Sequence, residues 1–84
     1  MDDKIYYLYI LECQDGSLYT GISTNPERRL KEHICGKHGA KYTKAHKPVK
    51  IVYTEIFKNR SEASKREYEV KQLSHNQKLQ LIYG

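Results

Sequence analysis

The chain has 84 residues and carries 15 lysine or arginine side chains against 10 aspartate or glutamate side chains, a formal net charge of +5 at pH 7. This length suits a single domain over residues 1–84 and excludes a second hydrophobic core. Two cysteines are too few for a disulfide framework, no apolar run is long enough for a bilayer, and the start "MDDK" is atypical of a signal peptide, so we expect a cytoplasmic protein away from membranes.

The chain is predicted to begin with a β-hairpin. "IYYLYILEC" is rich in β-branched and aromatic residues, "QDGS" interrupts it, and "LYTGIS" resumes the extended pattern. A three-residue loop ending at Gly16, in the left-handed conformation, places Tyr9 opposite Gly21. The same register places Leu11 opposite Tyr19, so the two tyrosines are diagonal neighbours on one face. A two-residue turn would put them on opposite faces, and we predict the longer loop.

A helix is predicted to follow in "STNPERRLKEHICG". It begins either with Asn25 as N-cap and Pro26 at the first helical position, or with Thr24 and Glu27 as a capping box. Gly36 is expected to end it.

This helix carries two stripes of interest. Residues at four-residue spacing, Pro26, Leu30 and Ile34, are predicted to form the buried stripe. Arg29 and His33 are also four residues apart and therefore point the same way from a neighbouring stripe. Packing alone does not require that polar pair beside the apolar edge.

The rest of the chain predicts one more strand and two further helices. "GKHGAKYTKAHKP" is basic and glycine-flanked, with a short helix expected over residues 40–45. "VKIVYTEIF" predicts a third strand with Val49, Ile51 and Tyr53 on one side. "NRSEASKREYEVKQLS" predicts a helix capped by Ser61, and "HNQKLQLIYG" a final helix. The fold class is therefore α+β, in the order β-β-α-(α)-β-α-α.

Positive charge is concentrated between residues 28 and 50, where eight lysines and arginines accompany one acid, Glu32. Charges of one sign repel unless an anion compensates them, so we expect a nucleic acid partner. Tyr42 is a candidate to stack on a base or to cover the core. The candidate nucleic-acid-binding residues are Arg28, Lys37, Lys41, Tyr42, Lys44 and Lys47.

Glu67 lies on the helix face, shared with Ala63 and Val70, that is predicted to meet the sheet. A carboxylate in that position is costly unless a cation or hydrogen-bond donors compensate it. Two explanations are possible. Glu67 forms an ion pair with Arg66 or with a lysine across the sheet, or it is a ligand of a hard cation such as Mg²⁺.

Two short motifs, Tyr7-Leu8-Tyr9 and Tyr19-Thr20-Gly21, stand ten residues apart, tyrosine to tyrosine. Arg29 follows the second tyrosine by ten residues, and His33 and Glu67 come later in the order typical of a known family. In these residues the chain resembles the GIY-YIG nuclease superfamily, most of all its small stand-alone bacterial members. It lacks the glycine of the first motif and the isoleucine of both, and Asn76 alone stands near the position of a further family asparagine.

The resemblance implies a three-stranded antiparallel sheet flanked by helices and a metal-dependent endonuclease that hydrolyses DNA phosphodiester bonds, structure-selective in repair or processing. It implies that Glu67 holds one divalent cation, Mg²⁺ or Mn²⁺, and that Arg29 donates to phosphate oxygens. The general base is left open: a tyrosine needs its pKa lowered by Arg29 and the metal, whereas His33 titrates nearer neutrality. The implied catalytic residues are Tyr9, Tyr19, Arg29, His33 and Glu67.

Two other classes of function stay open at this point. One is a nucleic-acid-binding module without chemistry, either a degenerate nuclease or a protein in which "GKHG" clamps a backbone as in KH domains. The other is a protein-interaction domain with incidental basicity, which predicts little effect of salt on affinity. A monomer is the default expectation.

Overall fold

The computed structural model describes residues 4–35 and 46–84. It forms a three-stranded antiparallel sheet in the order β2-β1-β3 with helices on both faces, so the α+β prediction is confirmed. The predicted helix over residues 40–45 and the predicted stop at Gly36 lie outside the described residues. The elements are β1 (Tyr6–Cys13), β2 (Leu18–Ser23), α1 (Pro26–Cys35), β3 (Pro48–Phe57), α2 (Arg60–Lys71) and α3 (His75–Tyr83).

The hairpin between β1 and β2 has the predicted loop and register. Gly16 adopts φ 83°, in the left-handed region that favours glycine. The amide of Cys13 donates to the carbonyl of Ser17 at 2.9 Å, which closes a three-residue loop. Tyr9 consequently lies opposite Gly21, as predicted.

The central strand β1 builds a core on one face of the sheet. Leu8 and Ile10 are fully buried and pack with Leu18 of β2 and with Val70 of α2. Burying one such aliphatic side chain stabilises a fold by about 1.5–3 kcal/mol, so this layer anchors α2 to the sheet. The opposite face carries Tyr9 and is covered by α1.

The third strand contains a β-bulge that the sequence pattern did not predict. Tyr53 and Ile51 pair with consecutive residues of β1, which leaves Val52 as the extra residue. Consecutive residues of a strand face opposite sides, so the prediction that Val49, Ile51 and Tyr53 share one face is wrong.

The starts of α1 and α2 are set by asparagine side chains. Asn25 accepts a hydrogen bond from the amide of Arg28 at 3.1 Å, which identifies it as the N-cap of α1 among the two predicted alternatives. Asn59 accepts from the amide of Glu62 and caps α2. The predicted N-cap Ser61 is therefore wrong, because it lies inside the helix.

The buried stripe of α1 differs from the prediction at its end. Pro26 is buried and Leu30 half-buried as predicted, but Ile34 is 57% exposed and His33 only 3%. Seven residues fall about 20° short of two full turns, whereas eight overshoot them by about 80°. The imidazole, rather than the isoleucine, is therefore aligned with Pro26 toward the sheet.

Within the part of the chain that the structure describes, no helix has the length and apolar composition needed to cross a membrane.

Candidate active site

Three aromatic rings meet where α1 covers the hairpin. Tyr9 is 1% exposed, and its hydroxyl oxygen lies 3.3 Å from Nε2 of His33. The ring of Tyr19 is centred 6.4 Å from that of Tyr9 and 5.2 Å from that of His33. The structure thus brings together the two motif tyrosines and the helical histidine that the sequence analysis selected.

Gly21 makes this arrangement possible because the ring of Tyr9 lies directly against it. A Cβ atom at Gly21 would stand 2.7 Å from the hydroxyl oxygen of Tyr9 and 2.8 Å from its Cζ. The same atom would lie 3.2 Å from Cε2 of Tyr19. The glycine is thus needed for close approach across the hairpin.

Arg29 joins this cluster from the previous turn of α1. Its Nη1 donates to Oε1 of Glu32 at 2.7 Å. The guanidinium is also close enough to Tyr9 to favour the phenolate through hydrogen bonding and charge. Burial alone would lower the pKa of Arg29, but Glu32 and Tyr9 raise it, so the side chain stays charged.

Tyr9 and His33 are both held in their neutral forms. Burial raises the pKa of Tyr9 to about 12, with contributions from the charges of Tyr19 and Glu67. Arg29 lowers it, as expected from the sequence, but burial outweighs that effect. Burial and the charge of Arg29 lower the pKa of His33, which Glu32 partly opposes. Near neutral pH a phenol therefore faces a neutral imidazole.

Glu67 lies on α2, which packs mainly against β2 and β1. Ala63 and Val70 on its helix face are fully buried, as the predicted stripe requires, and the Glu67 side chain is 23% exposed. Its charge reaches Tyr9, because it raises the pKa of that phenol. The carboxylate is thus within electrostatic range of the aromatic cluster.

The ion-pair partner of Glu67 differs from both predicted partners. Its Oε2 lies 3.1 Å from Nζ of Lys71, one turn later in α2. Arg66 instead reaches across to Glu55 of β3 at 2.9 Å and also contacts Glu69. The prediction of an Arg66 pair or a lysine across the sheet is therefore wrong, because the i,i+4 geometry favours Lys71.

The side chains present fit a hydrated hard cation better than an ion enclosed by protein ligands. Across residues 4–35 and 46–84, no three His, Cys, Asp or Glu side chains converge to hold a metal ion. Magnesium is often bound through one or two carboxylates and keeps several waters, so the single carboxylate of Glu67 is chemically suitable.

An open groove lies elsewhere on the face of the sheet that α1 covers. It has a volume of about 550 Å³ and lies between the start of α1 and β3. Its lining residues are Tyr7, Thr24, Asn25, Pro26, Glu27, Ile51 and Thr54.

The candidate nucleic-acid-binding residues are only partly covered by the structure. Arg28 is exposed and lies 3.8 Å from Glu32, and Lys47 is exposed at the start of β3. The remaining candidates lie outside the described residues; they are Lys37, Lys41, Tyr42 and Lys44.

Two residues in contact with the site were missed by sequence reasoning. Glu32 binds Arg29, and Lys71 binds Glu67. The signal was present in both cases, because opposite charges three or four residues apart on a helix are neighbours.

Comparison with protein families agrees with this arrangement. The family model described as the GIY-YIG catalytic domain matches residues 5–80. A UPF0213 protein of Clostridium perfringens is 58% identical over 76 residues, covering 90% of this chain and 81% of the relative. A UPF0213 protein of Staphylococcus haemolyticus is 54% identical over 77 residues, covering 92% and 93%.

Solved structures show the same fold. The solution NMR structure of a UPF0213 protein from Bacillus halodurans has a TM-score of 0.59 at 51% identity, covering 93% of this chain and 82% of that one. The solution NMR structure of a protein from E. faecalis has a TM-score of 0.63 at 47% identity, covering 95% and 84%. With the motif tyrosines, Arg29, His33 and Glu67 in their observed places, the chain belongs to the GIY-YIG family of nuclease domains.

Proposed function

We propose that this protein is a divalent-metal-dependent endonuclease that hydrolyses phosphodiester bonds of DNA, selecting by DNA structure in repair or processing. The observation that carries the proposal is the contact of Tyr9 with His33 beside Arg29, within electrostatic range of Glu67. Family membership supports the same chemistry.

Tyr9 and His33 are suited to move the proton of an attacking water. Because the imidazole is neutral, its Nε2 can accept the Tyr9 proton while the phenol oxygen takes a proton from water. The 3.3 Å separation is within the range expected before substrate tightens the contact. This arrangement makes His33 the final proton acceptor and Tyr9 the group that meets the water, with Tyr19 packed beside both.

Arg29 and Glu67 supply opposite charges for the phosphate side of the reaction. A guanidinium that stays charged can bind two non-bridging phosphate oxygens and stabilise their charge in the transition state. Glu67 would hold the divalent cation, which when bound polarises the scissile phosphate and the leaving oxygen. The groove and the exposed Arg28 and Lys47 would guide the backbone through sequence-independent contacts.

A nucleic-acid-binding module without cleavage is the second candidate function. Two observations favour it: the pKa of Tyr9 is raised, and the carboxylate of Glu67 is paired with the ammonium group of Lys71. Both features disfavour catalysis, and a protein without cleavage activity would tolerate them.

The test is incubation of the protein with labelled branched, flapped and linear DNA and with RNA, with Mg²⁺, Mn²⁺ or chelator. We expect metal-dependent cleavage of DNA that is lost in Glu67→Gln and reduced at least about a hundredfold in Arg29→Ala, with binding retained. Glu62→Gln is the matched control, because Glu62 is an exposed glutamate on the same helix. Binding without product in any metal would refute the nuclease and support the module.

A further inference from the structure

Lys71 pairs with the carboxylate of Glu67, and Lys78 lies close enough to Lys71 to feel its charge. Lys71 ends α2 with its Nζ 3.1 Å from Oε2 of Glu67, and Lys78 lies in α3 after the short turn over residues 72–74. The ordered turn keeps the two lysines near each other, because Ser74 caps α3 in a capping box with Gln77. Burial and the charge of Lys71 lower the pKa of Lys78, which shows that its ammonium group feels that charge.

The contact of Lys71 with Glu67 opposes the binding of a divalent cation to Glu67 in the free protein. The cation must displace the Lys71 ammonium group from Glu67 and then remain near that positive charge. A backbone phosphate would remove the conflict, because it attracts both the cation and the displaced lysine. The ammonium group is a compact charge on a flexible stem, and the Lys71 side chain is 48% exposed, so it can move to a phosphate.

We propose that Lys71, with Lys78 beside it, makes cation binding at Glu67 dependent on nucleic acid: Lys71 pairs with Glu67 in the free protein and with a backbone phosphate in the complex. The inference rests on the proposed function for the role of Glu67. Thermodynamic linkage requires that the cation strengthens DNA binding by the same factor by which DNA strengthens cation binding. Lys71 and Lys78 are thus positioning residues that couple the two ligands.

The test measures Mn²⁺ affinity by electron paramagnetic resonance, with and without a short flapped DNA. In the wild type we expect DNA to tighten Mn²⁺ binding about fivefold or more. Lys71→Gln should tighten Mn²⁺ binding in the absence of DNA and reduce the effect of DNA to less than about twofold. Lys71→Arg keeps the charge and should retain most of the coupling.

Two further variants keep the test decisive. Lys78→Gln should weaken the coupling in the same direction and to a smaller degree, and it remains informative if Lys71→Gln is poorly folded by circular dichroism. Lys65→Gln is the matched control, because Lys65 is exposed on the same helix and two residues from Glu67, on a different side. Unchanged Mn²⁺ affinity and unchanged coupling in both Lys71→Gln and Lys78→Gln would overturn the inference.

Cleavage followed in the same samples separates this inference from the proposed function. If Lys71→Gln loses the coupling between Mn²⁺ and DNA binding but the wild type yields no cleavage product, the inference is supported and the nuclease is refuted. If Glu67→Gln binds Mn²⁺ as tightly as the wild type does, the inference is overturned, even if the wild type cleaves DNA.

Discussion

A methyl group at Gly21 should damage the site directly. The added Cβ would stand 2.7 Å from the hydroxyl oxygen of Tyr9 and 2.8 Å from its Cζ. Tyr9 is 1% exposed and packed against Tyr19 and His33, so its ring cannot move far from Gly21 without disturbing these contacts. To regain an ordinary contact near 3.5 Å, its ring must shift by about 0.7 Å, which alters its 3.3 Å contact with Nε2 of His33.

The magnitude follows from two opposing contributions. Overpacking a filled interior costs about 1–3 kcal/mol, and replacing glycine by alanine recovers about 0.4–1 kcal/mol through the unfolded chain. We therefore expect Gly21→Ala to lower the free energy of unfolding by about 1–2 kcal/mol in urea. Misplacement of a reacting group by nearly an ångström should reduce the cleavage rate by about a hundredfold.

Gly16→Ala is the matched control. Its added Cβ meets no atom within 4 Å, but φ 83° strains any side chain by about 1–2 kcal/mol. It should therefore cost similar stability and leave the cleavage rate of the folded protein unchanged. The decisive measurement is Gly21→Ala in a Tyr9→Ala background, where the collision is absent. An equal loss of stability in both backgrounds would refute the reasoning.

Three further predictions concern buried polar groups. Burial raises the pKa of Tyr9 to about 12, so its phenol stabilises the fold fully below about pH 10, and about 2–3 kcal/mol is lost as the pH rises through 12. In alkaline urea titrations Tyr9→Phe should lose less stability than the wild type, and parallel losses would contradict this. The lowered pKa of His33 predicts that the cleavage rate rises with pH in the acid range, with its midpoint below about pH 6.5, and is constant at higher pH. A rate that still rises in alkali would indicate a tyrosine base. Among the described residues Thr20 Oγ1 has no partner, so Thr20→Val should raise the free energy of unfolding by about 1 kcal/mol in urea; a loss would show that the hydroxyl is bonded.

Features set by neighbouring residues were predictable from the sequence. The loop ending at Gly16 determined the hairpin register, because one left-handed residue and the loop length fix which side chains face each other. The register then placed Tyr9 beside Gly21 and Tyr19 without any knowledge of the third strand. The sequence likewise limited the N-cap of α1 to Asn25 or Thr24, because capping is a local interaction.

Features set by distant contacts were not predictable in the same way. The bulge at Val52 has no glycine or other turn residue to signal it, because it lies within the run Ile51-Val52-Tyr53. Arg66 stands beside Glu67 in sequence, yet its partner is Glu55 on another element. The burial of His33 in place of Ile34 could have been predicted from the sequence, because the helical repeat of 3.6 residues already favours it.

The charges on α1 explain how a buried, neutral pair can take part in the proposed proton transfer. Burial disfavours both the phenolate of Tyr9 and the imidazolium of His33, so moving the proton between them creates two charges in a poorly hydrated place. Arg29 favours the phenolate, and Glu32 favours the imidazolium. Arg29 and Glu32 are themselves joined at 2.7 Å, so the charge that stabilises the phenolate is held beside one that partly offsets the effect of Arg29 on the imidazolium. The spacing of Arg29, Glu32 and His33 is therefore part of the proposed chemistry, and not only a helical pattern that keeps α1 soluble.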